Sequence, residues 1–137
     1  MQLKPGQLYL GHPIDAAGGK PSAELLTLEA RDLTTHGVIV GMTGSGKTGL
    51  GAVLLEEVLL AGVPALILDP KGDMTNLVLN FPDLAPTDFL PWVNEGDAAR
   101  AGLSSADFAA QAARSWREGL ASDGIDGARM RRLKEGV

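Results

Sequence analysis

Residues 37–69 read GVIVGMTGSGKTGLGAVLLEEVLLAGVPALILD, and the succession of patterns inside them decides the fold. GVIV at 37–40 is a short β-branched run of the kind that forms a buried strand. A glycine-rich stretch follows it. From 47 to 61, apolar residues recur at helical spacing (Leu50, Val53, Leu54, Val58), and Gly62 suits the left-handed position that ends a helix. PALILD at 64–69 is a second apolar run of strand length. Strand, loop, helix and strand imply one right-handed βαβ unit of a parallel sheet, and hence an α/β fold.

The loop inside that unit, Gly41-Met42-Thr43-Gly44-Ser45-Gly46-Lys47-Thr48, fits G-x-x-x-x-G-K-[ST] at every fixed position. Its glycines permit backbone conformations closed to other residues, so that successive N–H groups curl around phosphate oxygens. The helix starting near Lys47 adds unpaired N–H groups and a partial positive charge. Lys47 suits the β- and γ-phosphates of a nucleotide, and the Thr48 hydroxyl suits its magnesium ion. The phosphate-binding set is therefore Thr43, Gly44, Ser45, Gly46, Lys47, Thr48 and Gly49.

Two other readings use the same residues. Gly44 to Gly49 also spells G-x-G-x-x-G, with Asp69 following Gly49 by 20 positions, as in dinucleotide-binding folds. There, however, the strand runs straight into the first glycine, whereas Gly41, Met42 and Thr43 intervene here, and a Lys-Thr pair has no task. Asp69-Pro70-Lys71-Gly72 spells the D-x-x-G of a GTPase. The guanine-selecting motif would then be Asn94-Glu95-Gly96-Asp97, with Glu95 where lysine is needed, and only 21 positions separate Thr48 from Asp69.

Asp69 ends its strand as a magnesium-binding aspartate does, with a metal contact through water and a catalytic part as one reading. The alternative is that Asp69, Lys71 and Asp73 line the edge where ligands gather. Asp73 also suits a cap for a helix over 74–79.

Outside the unit, QLYLG at 7–11 and LLTLE at 25–29 read as short strands around a loop holding Pro13, Gly18, Gly19 and Pro21. Prolines at 82, 86 and 91 mark a segment of surface loop or short turns. Ser104 with Asp107 three residues on has the capping-box spacing, and Phe108, Ala112 and Trp116 share one face of a helix over 105–118. A last helix over 126–135 carries Arg129, Arg131, Arg132 and Lys134, a solvated face, a DNA contact or a lid over phosphates.

The 137 residues make one domain's worth of chain, and 45% apolar with 21% charged residues is an ordinary globular mixture. A net charge of -5 argues against a surface that coats nucleic acid throughout, so any such contact is local. Without cysteine there is no disulfide framework or thiolate metal site, and His12 and His36 alone make no zinc site. No apolar run approaches the roughly 20 residues of a membrane helix, so a soluble, cytoplasmic protein is expected.

THGVIVGMTGSGKTGL at 35–50, joined to PALILDPKGDMTNL at 64–77, resembles the HerA/FtsK superfamily of ATPases, the ring-forming motors that pump DNA. The likeness is to bacterial HerA-like ATP-binding proteins and covers about residues 25–92. It implies a RecA-like P-loop core, ATP with Mg2+ as cofactors, and a homo-oligomeric, hexameric ring acting on double-stranded DNA. The expected organisation is a β annex over 1–30, the first part of the nucleotide core over 31–92, and helices over 93–137. Such motors also need a later strand ending in Asp-Glu, a polar sensor and an arginine that reaches a neighbour's nucleotide, and no apolar strand follows residue 80. The sequence is thus expected to be the N-terminal piece of a longer ATPase that ends in a helical insertion, with little turnover of its own. A small phosphotransferase and a non-catalytic nucleotide-sensing module are the alternatives.

Overall fold

The two short N-terminal runs pair with each other as a hairpin. The computed structural model describes residues 2–15 and 19–136, which leaves the expected loop residue Gly18 outside the described residues. β1 (Gln7–Gly11) pairs antiparallel with β2 (Leu26–Glu29), with Leu8 opposite Leu28 and Tyr9 opposite Thr27, and an irregularity between Tyr9 and Gly11. Leu8 and Tyr9 are buried. Full burial of a leucine contributes about 1.5–3 kcal/mol, so Leu8 anchors this hairpin. His12 fastens the strand exit, pairing its Nδ1 with the Glu24 carbonyl at 2.8 Å and meeting the Tyr9 ring edge-on.

Helix α1 (Lys47–Leu60) packs against β1. It ends as a glycine-terminated helix should: Gly62 has φ +77° and donates to Leu59, while Val63 donates to Val58, so the last carbonyls are satisfied. Its one buried residue is Glu57, whose Oε2 accepts the Tyr9 N–H at 2.9 Å. A carboxylate buried among apolar neighbours needs such donors, and this one ties α1 to the edge of β1.

The expected parallel sheet is not formed among the described residues. Segments 37–40 and 64–69 carry no strand pairing, and the only sheet is the antiparallel β1–β2 pair. The physical reason lies in their surroundings. Central parallel strands are covered on both faces and hydrogen-bonded on both sides, whereas Val40 is 83% exposed and Leu68 86%. Both segments keep a strand's two-residue rhythm, since Ile39 and Ile67 are about half as exposed as the residues flanking them. What they lack is a ladder partner. The fold is α/β with a two-stranded antiparallel sheet and five α-helices among the described residues, without the RecA-like parallel core.

Contacts divide the described chain into two compact units, residues 2–79 with 135–136, and residues 80–134. The second is helical. Pro86 occupies the first turn of α2 (Pro86–Phe89), where its missing N–H costs nothing, and a 3-10 turn follows at Leu90–Trp92. Asn94 caps α3 (Glu95–Arg100) by accepting the N–H groups of Gly96 and Asp97. The Ser104 hydroxyl accepts the Asp107 N–H, opening α4 (Ser105–Ser122), and Asp126 accepts the Arg129 N–H at the start of α5 (Gly127–Gly136). The α4 face expected from Phe108, Ala112 and Trp116 is turned by one residue. Ala109 and Ala113 are buried, because α2 and α3 approach α4 closely only over small side chains, and Trp116 is left 58% exposed. No described helix is long and apolar enough to cross a membrane.

Candidate functional site

Gly44 and Gly46 adopt φ +79° and +85°, left-handed backbone that a side chain disfavours, and these two residues wind the chain from 41 into the first turn of α1. The loop is tight. A Cβ on Gly41 would lie 2.5 Å from the Ser45 hydroxyl. Ser45 donates its N–H to the Met42 carbonyl at 3.2 Å and so closes the loop on itself. Among the described residues, the N–H groups of Thr43, Gly44, Gly46, Lys47, Thr48 and Gly49 have no acceptor. Four of these belong to the start of a helix with no side-chain cap. Helix geometry leaves such groups unsatisfied, and they favour an anion.

Lys47 folds back over this loop. Its ammonium donates to the carbonyls of Gly41 at 2.8 Å and Met42 at 2.6 Å, which holds a full positive charge beside the unpaired N–H groups. The Thr48 hydroxyl is exposed and makes no hydrogen bond among the described residues.

A second loop, 69–74, is organised by one carboxylate. Asp69 Oδ1 accepts the Gly72 N–H at 2.9 Å and Oδ2 accepts the Met74 N–H at 2.7 Å. Donation from Met74 above all holds the Asp69 carboxyl below the usual aspartate range; desolvation, the next effect in size, opposes it, and donation from Gly72, Asp73 and Lys71 adds to the lowering. Asp73, expected as a helix cap, instead takes the Lys71 ammonium at 2.6 Å, and that hydrogen bond followed by the Asp73 charge pushes Lys71 up. The expected helix over 74–79 is a 3-10 turn at Thr75–Val78, and the N–H of its N-terminal flank, Met74, goes to Asp69. Met74 in turn reaches α1, its Cε lying 3.2 Å from the place of a Cβ on Gly51.

Residues 8–128 match the family described as helicase HerA, central domain. The chain belongs to this family. No curated protein and no solved structure matches it.

Membership in the HerA central-domain family puts the chain in an ATPase and helicase-like group and accounts for both loops lying within the matched span. Among the described residues of this HerA-family chain, no three His, Asp or Glu side chains gather where they would hold a metal ion. Asp69 has both oxygens on backbone donors, and the Thr48 hydroxyl at the start of α1 stands exposed. The arginines of α5 stay at the surface of the helical unit, with Arg131 3.6 Å from Asp83. Sequence patterning missed Glu57 and Met74. The signal for Glu57 was its place as an acid among apolar residues of α1; Met74 carries no local signal, because its role rests on a contact with Gly51, 23 positions earlier.

Proposed function

We propose that residues 41–49 bind the phosphates of ATP and that the chain serves an ATP-driven enzyme acting on double-stranded DNA. The observation that carries this reading is the set of acceptor-less N–H groups at Thr43, Gly44, Gly46, Lys47, Thr48 and Gly49, with the Lys47 ammonium beside them. Six donors and one cation suit a polyphosphate, and a dinucleotide leaves the cation without work. Ser45 has spent its N–H on Met42 and acts by holding the loop closed. Lys47 keeps one of its three ammonium protons for a phosphate oxygen and can exchange its carbonyl partners for more. The Thr48 hydroxyl would hold a magnesium ion, which would supply charge neutralisation to the phosphates. Family membership supports the wider reading of a homo-oligomeric, hexameric ring moving along duplex DNA.

Calorimetry on the chain and on Lys47→Ala tests the site. The expected result is binding of ATP with magnesium by the first and none by the second, with equal circular dichroism, since Lys47 bonds only to exposed loop carbonyls. Equal ATP affinity of the two proteins, or micromolar binding of NADH, would overturn the reading.

A further inference from the structure

The two loops meet through a short chain of contacts. Asp69 accepts the Met74 N–H at 2.7 Å, which fixes the backbone from which the Met74 side chain leaves. Met74 Cε lies 3.2 Å from where a Cβ on Gly51 would sit, with Ile39 Cδ1 at 3.9 Å from the same point. Gly51 lies three residues, about one helical turn, after Thr48 on α1. A Cβ at Gly51 would oblige the methionine to give by a few tenths of an ångström, because a 3.2 Å approach is tighter than ordinary van der Waals contact. The Asp69 carboxylate is therefore linked to α1 at Gly51 by one hydrogen bond and one apolar contact.

We infer that Asp69 is a positioning residue for the 41–49 site, acting through Met74 and Gly51 to set the first turn of α1, and that it is not a ligand of the metal. The inference rests on the nucleotide-binding reading above. Two observations favour positioning over the metal role. Both Asp69 oxygens are engaged by backbone donors. The residue it immobilises is the one that touches α1. A loosened α1 turn moves the N–H groups of Lys47, Thr48 and Gly49, and donors aimed at a phosphate lose strength quickly as geometry departs from linear.

The test measures ATP affinity by calorimetry twice, with magnesium and with excess chelator, for the chain, Asp69→Asn, Met74→Ala and the double variant. Positioning predicts that Asp69→Asn weakens ATP by a similar factor in both buffers, within the roughly 5- to 150-fold usual for coupled sites. It also predicts that Met74→Ala reproduces the loss and that the double variant adds little to either. Amide exchange at Gly72 and Met74 in Asp69→Asn, without nucleotide, should quicken. A loss confined to the magnesium buffer would make Asp69 a metal ligand and overturn the inference, as would full affinity in Met74→Ala. If Asp69→Asn does not fold, Met74→Ala alone decides, because it leaves the carboxylate in place. A chain that binds no ATP in either buffer overturns the nucleotide reading itself, an outcome distinct from all of these.

Discussion

Glu57 and Tyr9 are joined by a 2.9 Å hydrogen bond across 48 positions of sequence, the carboxylate accepting the strand's N–H. This bond holds the N-terminal hairpin to the helix that begins at Lys47. Removing the acceptor leaves a buried N–H unsatisfied, at a cost of about 1–3 kcal/mol. Glu57→Leu should therefore lower the unfolding midpoint clearly, while Glu57→Gln, which keeps a carbonyl oxygen, should lose less. Urea unfolding checks the order, and equal midpoints for Glu57→Leu and the parent would show the bond to be dispensable.

The charged groups of the second loop set its response to pH. Asp69 is held below the usual carboxylate range by the Met74 N–H first, so its contribution is present in full above about pH 4 and is lost as pH falls through its lowered value. Lys71, raised first by its hydrogen bond to Asp73, contributes in full below its ordinary 10.5 and loses that contribution as pH rises through the raised value. Between those limits neither contribution changes with pH. The melting difference between the parent and Asp69→Asn should stay constant from pH 5 to 8 and shrink below about pH 4. A difference that grew on acidification would contradict the loop's hydrogen bonding.

Leu8 and Leu68 differ in surroundings more than in chemistry. Leu8 is 1% exposed and Leu68 86%. Leu8→Ala should cost about 2–5 kcal/mol. Leu68→Ala, which removes almost no buried surface, should stay within about 0.5 kcal/mol of the parent. Equal losses in chemical denaturation would mean that segment 64–69 lies in a covered sheet after all.

What the sequence made legible was local. The glycines of 44 and 46 announced left-handed backbone, Gly62 announced the end of α1, and the Ser104–Asp107 pair announced the start of α4, because each acts through its own neighbours. The strands of 37–40 and 64–69 were misread because an apolar run states a preference, whereas a ladder also requires a partner at the right height. Pro86 was read as a breaker when it stands at a helix start, and Asn94 was weighed as part of a guanine motif when it caps α3. In the loop from Gly41 to Thr48, the turn at the glycines and the helix start at Lys47 were readable from neighbouring residues. The support that Asp69 gives it through Met74 was not, since nothing in DPKGDM says which helix the methionine will touch.

Nucleotide turnover should separate from nucleotide binding in this chain. Binding needs the N–H groups of Thr43, Gly44, Gly46, Lys47, Thr48 and Gly49, the Lys47 ammonium and the Thr48 hydroxyl, all of which lie on one loop and one helical turn. Hydrolysis needs a carboxylate to orient water and a cation on the γ-phosphate, the latter worth about 10³ to 10⁵ in rate when an arginine supplies it. Asp69 holds the Gly72 and Met74 N–H groups and Asp73 holds the Lys71 ammonium, so both carboxylates of that loop are engaged in keeping the loop's own shape. The 137-residue chain should accordingly bind ATP and release phosphate far more slowly than about 1 per second, the low end for phosphoryl-transfer enzymes. Asp69→Asn should lower affinity without abolishing whatever slow release remains. A phosphate-release assay decides it: steady turnover near that rate, lost in Asp73→Asn with affinity unchanged, would show that Asp73 leaves Lys71 to activate water.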